Sequence, residues 1–222
     1  YGDGARRDKN DDGLVLMDFV CLKVGEAYGP EYVNEMFKRV DNLMPVGDFI
    51  CYTDDPLNLN GNITVRGITP LYNDRMWWNK VMLLNPAHEH NALYLDLDTY
   101  MHKSIHGLNL KGQILRTAWF SDDMAMKVHY CNINSSVMRL FDNNFEKQYR
   151  DWYDNKEKLY KSFYGLDSWF YRRHNLDFFD PGIVYSYKFG SQFPNDVEQN
   201  KLRSDHAICV FDDCENRYDI LK

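Results

Sequence analysis

An α/β domain with a mostly parallel central sheet flanked by helices is the fold this sequence predicts. One observation is a strand–helix–strand unit near the start: "DFVCLKV", a helical stretch, then "DFICYTDDP". That order implies a right-handed crossover and parallel pairing. Another is that the strand-like runs are short and continuously apolar rather than alternating, as expected of strands covered on both faces. The third is size: 222 residues, 44% hydrophobic and 15% aromatic, fill one sizeable core more naturally than two small ones.

The elements follow in order. "DFVCLKV" (18–24) reads as a buried strand ending at the glycine turn of Gly25. Gly29 and Pro30 open a helix, since proline is tolerated at the first helical position. Val33, Met36, Phe37, Val40, Leu43 and Met44 then recur as one apolar stripe. "DFICYTDDP" (48–56) is the second strand and "NITVRGI" (62–68) the third. "DRMWWNKVMLLNP" (74–86) is apolar nearly all round and reads as a buried helix stopped by Pro86. "ALYLDLDTYMHK" (92–103) opens as a central strand. "ILRTAWF" and "SSVMRLF" are further strands, and "DNNFEKQYRDWYDNKEK" a helix with Phe145, Tyr149, Trp152 and Tyr153 at helical spacing. "LDSWFYRRHN" is a short helix, and "IVYSYKF" and "AICVFDD" are late strands. Residues 1–16 are mostly polar and read as a flexible leader or an expression remnant, leaving residues 17–222 as one domain.

Composition narrows the function classes. The net charge of -7, with lysines and arginines scattered, disfavours binding along a nucleic-acid backbone. No apolar run approaches the roughly 18 residues of a membrane span, and no secretory signal is evident. The five cysteines lack CxxC spacing, and three lie inside apolar runs, which fits a reducing, cytoplasmic compartment.

The chemistry-bearing feature is the end of the central strand, where four apolar residues run into Asp96 and Asp98. Residues i and i+2 of a strand share a side, and ligands of open parallel sheets collect beyond the carboxyl ends of the strands. Two carboxylates converging there repel each other, and a divalent cation removes the conflict; oxygen donors favour magnesium or manganese shared with substrate phosphates. The plain alternative is a strand-to-loop transition with one acid in a turn and the other in water. "YLDLDTYM" also resembles the D-x-D-x-T signature of haloacid-dehalogenase-type phosphohydrolases, which would make Asp96 a nucleophile and Asp98 a general acid/base. That signature belongs on the first strand of its fold, whereas here it follows a β-α-β unit and a further strand and helix.

Four segments in succession carry a second resemblance: "FVCLKVGEAYGPEYVNEMFKRV", "DFICYTDDP", "RMWWNKVMLL" and "ALYLDLDTYM". Together they look like the GT-A-fold nucleotide-sugar glycosyltransferases, and more closely a bacterial and viral group with YGPEYVN, TDDP, WW-x-K and DLD motifs. "NINSSVMR" and "GIVYSYKF" extend the likeness over most of the chain. It implies a GT-A-type domain and metal-dependent transfer of a sugar from a nucleoside diphosphate, UDP rather than GDP, to a glycan or other hydroxyl acceptor. The loop from Lys23 through Val24 and Gly25 to Tyr28 would hold the base and ribose, with Tyr28 stacking and Asp54 accepting a hydrogen bond. Lys80 would meet the diphosphate, and Asp96 and Leu97 would lie against the donor. Asn134, Ser135 and Ser136 would line the sugar and acceptor region.

Two departures from the family pattern bear on mechanism. Where the family often has G-D-Q-D-W, this chain reads Gly165, Leu166, Asp167, Ser168, Trp169, and Asp167 becomes the catalytic carboxylate by resemblance. Where V-F-H-G-x-x-K-P-H is typical, the chain has Val210, Phe211, Asp212, Asp213, and Asp212 replaces the histidine that would join Asp96 and Asp98 as a manganese or magnesium ligand. A domain that kept the nucleotide-sugar pocket but lost catalysis is a further alternative.

Overall fold

In the computed structural model, residues 16–88, 91–116, 131–191 and 200–211 are described. Six strands form the main sheet: β1 (Asp18–Lys23), β2 (Phe49–Thr53), β3 (Thr64–Gly67), β4 (Asn91–Leu95), β6 (Ile114–Arg116) and β7 (Ile133–Phe141). Their spatial order is β3-β2-β1-β4-β7-β6. The first four are mutually parallel, while β7 runs antiparallel to both β4 and β6. Helix α1 (Pro30–Leu43) makes the expected crossover between β1 and β2, entered through Gly29 with Pro30 in its first turn.

The alternation of side chains along each strand divides the core into two layers. Phe19, Cys21, Phe49, Cys51, Leu93 and Leu95 face α1 and its stripe of Val33, Met36 and Val40. Val20, Ile50, Tyr52, Ala92 and Tyr94 face Trp78, Val81, Trp152, Leu159, Trp169 and Phe170. These come from the segment Met76–Leu84 and from helices α2 (Glu146–Ser162) and α3 (Leu166–Arg173). The strands are buried on both sides, which explains why their sequences run apolar without alternation.

A second, smaller sheet completes the α1 side: β5 (Thr99–Met101), β8 (Val184–Ser186), β9 (Gly190–Ser191) and β10 (Ile208–Val210), in the order β5-β10-β8-β9. The late strands read from the sequence belong here: Ile208, Cys209 and Val210 pair with Met101, Tyr100 and Thr99. The central strand therefore leaves one sheet at Leu95 and enters the other at Thr99, and Asp96 and Asp98 sit in the joint.

The buried helix expected over residues 74–86 is present as a nine-residue 3-10 helix, Met76–Leu84, rather than in the commoner α form. Buried Asn79 supplies the reason. Its Oδ1 accepts the backbone N–H groups of Leu71 (2.7 Å) and Tyr72 (3.1 Å), and its Nδ2 donates to the carbonyls of Tyr72 (2.8 Å) and Met76 (3.0 Å). A side chain bonded to the local backbone competes with the regular i to i+4 ladder. Residues 1–15 of the expected leader, "TAWF" (117–120) and Asp212 lie outside the described residues.

Candidate active site

Each wall of the site is set by a strand end. A cleft of about 350 Å³ opens at the carboxyl ends of β1 and β4, lined by Val24 and Tyr28 after β1, by Trp77 and Lys80 of the 3-10 helix, and by Asp96 and Asp98. Tyr94 and Leu97 also face it. Tyr94 carries the same parity as Asp96, so the i, i+2 rule places both on the side of Lys80. Asp98 is buried, and its backbone carbonyl accepts the N–H of Phe211, pinning the joint to the end of β10.

Lys80 is the centre of the charge network. Only 8% exposed, it donates to Asp96 Oδ2 at 2.5 Å and to Ser135 Oγ at 3.3 Å. Burial lowers the ammonium's pKa, but the carboxylates of Asp96, Asp167 and Asp98 outweigh it, and the net shift is upward. Lys80 is therefore a permanent cation in the cleft. The Tyr94 hydroxyl donates to the other oxygen of Asp96, and burial followed by the Asp96 charge holds that phenol well above its ordinary range.

Asp167 does not line the cleft; it sits behind Ser135 in the first turn of α3, where a carboxylate is favoured by the helix N-terminus. Its Oδ1 accepts the backbone N–H of Ser135 at 3.0 Å. Burial raises its pKa, partly offset by Lys80 and by the Ser135 hydrogen bond. The carboxylates of Asp96, Asp98 and Asp167 thus act on one ammonium. Carboxylates gathered in this way are the electrostatic condition that a divalent cation relieves. The oxygen donors suit magnesium or manganese, with Asp98 and Asp96 the residues that could hold it. No group of three metal-ligating side chains occurs among the described residues, and the expected third ligand, Asp212, lies outside them.

Asn134, Ser135 and Ser136 run along the edge of β7 beside the same network. The Ser136 carbonyl accepts the N–H of Asp96 at 2.8 Å, and Asn134 Oδ1 caps the N–H of Ser136 at 2.8 Å. Ser135 touches both Lys80 and Asp167, and so links the 3-10 helix to α3.

Two of the expected donor contacts hold the β1 loop instead of lining the cleft. Asp54 accepts the N–H of Gly25 at 3.1 Å. Gly25 has φ +69°, the left-handed region that favours glycine. Lys23 is buried and reaches the carbonyl of Asp55 at 3.4 Å. The tryptophan pair divides: Trp78 is fully buried, while Trp77 is 39% exposed at the cleft mouth. Tyr94, Asp74 and Met76 join the lining without having been singled out from sequence; for Tyr94 the signal was its i−2 position to Asp96.

No protein-family model matches this chain, and no curated protein sequence matches it. Solved structures do resemble it. The galactosyltransferase LgtC, in complex with donor and acceptor sugar analogues, aligns at TM-score 0.59 and 15% identity over 88% of this chain and 87% of that one. An active-site mutant of LgtC aligns at 0.58 and 14% identity over 89% and 88%. A glycosyltransferase involved in glycosylating the major capsid of PBCV-1 aligns at 0.53 and 14% identity over 91% and 96%. The chain shares the fold of these enzymes, the GT-A architecture expected from its sequence.

Proposed function

We propose that this chain is a metal-dependent glycosyltransferase that moves a sugar from a nucleoside diphosphate donor, UDP rather than GDP, to a hydroxyl acceptor. The observation that carries the reading is Lys80, buried between Asp96 and Asp167 at the carboxyl end of the D-x-D strand. The glycosyltransferase fold, the cleft at the strand ends and the motif order support it; the choice of UDP rests on the motifs.

The chain's own residues divide the work. Val24 and Tyr28 wall the part of the cleft beside β1, where a base and ribose would lie. The β1 loop is held open by the Asp54–Gly25 bond, so the pocket need not be ordered by the ligand. Lys80 presents a charge-assisted donor to a diphosphate, stabilising the charge that develops as the sugar departs. Magnesium or manganese, when bound by Asp98 and Asp96, would supply Lewis-acid neutralisation of that same diphosphate. Asp167, whose pKa burial raises, would be the carboxylate that takes a proton from an acceptor hydroxyl or faces the reacting carbon.

Incubation with a panel of UDP- and GDP-sugars, with and without manganese, tests the reading. Manganese-dependent release of UDP from at least one UDP-sugar is expected. Release of inorganic phosphate from simple phosphate esters, with no nucleotide-sugar turnover, would overturn it.

A further inference from the structure

Beside the cleft lies a second concavity of about 550 Å³ that shares Asp74 with it. Its floor is aromatic: the rings of Tyr72 and Tyr160 stack at 4.4 Å, and Trp152 Nε1 donates to the Tyr72 hydroxyl at 3.0 Å. Its rim is polar and of mixed sign, with Lys156, Glu157 and Asp74. Trp77, which lines the cleft, is 39% exposed, and beside it stands Tyr164, 57% exposed, with ring centroids 5.3 Å apart.

This aromatic ground is rigid. Trp77 Nε1 donates to the Tyr164 carbonyl at 3.1 Å. Arg75 donates to the carbonyls of Phe163 (2.8 Å) and Tyr160 (2.6 Å), while its guanidinium lies 3.7 Å from the Tyr160 ring centroid. Tyr164 is also three residues from Asp167, so the exposed pair is tied to the catalytic helix by its own chain.

We propose that Trp77, Tyr164 and the adjoining groove bind a neutral oligosaccharide acceptor of two or more units, rather than a small alcohol. The inference rests on the glycosyltransferase reading and names its acceptor class. Pyranose rings offer apolar C–H faces and hydroxylated edges, which match the exposed rings of Trp77 and Tyr164 beside a groove with a polar rim. The mixed sign of the rim excludes a strongly charged polymer as the preferred occupant. A groove of this volume, adjoining the cleft at Asp74, exceeds what one small hydroxyl compound fills.

The test titrates wild type and Tyr164→Ala, in the presence of UDP and manganese, with methyl glycosides and their di- to tetrasaccharide homologues in gluco, galacto and manno configurations. Tryptophan fluorescence and saturation-transfer NMR report binding, and circular dichroism with a Tyr164→Phe control reports the fold. At least one series should bind at least tenfold more tightly as trisaccharide than as monosaccharide. Tyr164→Ala should lose at least tenfold of that affinity, Tyr164→Phe should retain it, and UDP affinity should change less than twofold. Absent binding, binding independent of length, or an unaffected Tyr164→Ala overturns the inference while leaving the donor reading intact. Oligosaccharide binding by a wild type that fails to bind UDP overturns the donor reading and, with it, the assignment of this glycan as an acceptor.

Discussion

Lys80 and Asp167 make opposite demands on the fold, and that contrast gives the residue-scale predictions. Lys80→Met keeps the apolar stem but strips Asp96 of its cation, leaving a partly buried carboxylate with Tyr94 as its described donor. Breaking such a pair costs about 3 kcal/mol of stability, measurable by urea denaturation, and turnover should fall about 100-fold or more through the lost electrostatic stabilisation. Asp167→Asn should also lose turnover, yet raise the melting temperature at neutral pH. The sign follows from its raised pKa: ionising Asp167 costs more in the folded than in the unfolded state. The destabilising contribution is absent below the ordinary carboxylate range and grows as pH rises through the folded pKa. The melting-temperature difference between variant and wild type should therefore vanish towards pH 3, and a constant difference would refute this account. Of these residues, Asp96 and Asp98 were legible from the strand-end pattern alone. The partnership of Lys80 with Ser135 was not, because it joins positions 55 residues apart through tertiary packing.

At the scale of elements, α3 carries Asp167 and must be held against α2. Asp151 does this, accepting from Arg173 at 2.7 and 3.0 Å and from Trp169 Nε1 at 3.1 Å, with His174 at 3.2 Å. Asp151→Ala should cost about 2–3 kcal/mol, given several hydrogen bonds to a charged group, and should lower kcat through the displaced Asp167 more than it weakens UDP binding. Unchanged kcat at full occupancy would show that α3 is positioned by other contacts. In the smaller sheet, His102 Nε2 lies 2.8 Å from the Tyr185 hydroxyl. Burial, then Arg39, His206 and Lys103, lower its pKa to about 4. A depressed histidine contributes stability that is complete above about pH 6.5 and lost as pH falls towards 4, on the order of 3 kcal/mol at most. His102→Gln should flatten that part of the acid profile relative to wild type in thermal scans at pH 7, 5.5 and 4. Most helices and the β1–α1–β2 unit could be read from periodicity and the Gly-Pro entry. The 3-10 helix could not, because Asn79 bends it through hydrogen bonds that composition does not reveal.

For the whole molecule, the decisive feature is the joint between two sheets. β4 ends at Leu95 in the six-stranded sheet, β5 begins at Thr99 in the four-stranded one, and the two carboxylates occupy the turn between them. This answers why an apolar strand should end in a pair of acids: the chain changes layers there, at the mouth of a cleft. The sequence pattern located the acids and predicted the parallel half of the main sheet. β8 and β10 were legible as strands, but their assembly with β5 into a second sheet was not, because that pairing joins segments far apart in the chain. Among the described residues no helix is long and apolar enough to cross a membrane.

The central claim is that Asp98 and Asp96 hold a metal against a nucleotide diphosphate, with Lys80 as the resident cation. Calorimetric titration of UDP with and without manganese, on wild type and Asp98→Asn, tests it most directly. The account predicts that manganese strengthens UDP binding to wild type at least tenfold, about 1.4 kcal/mol, and leaves Asp98→Asn unchanged. Equal UDP affinity with and without manganese in the wild type, or an undiminished manganese effect in Asp98→Asn, would contradict it.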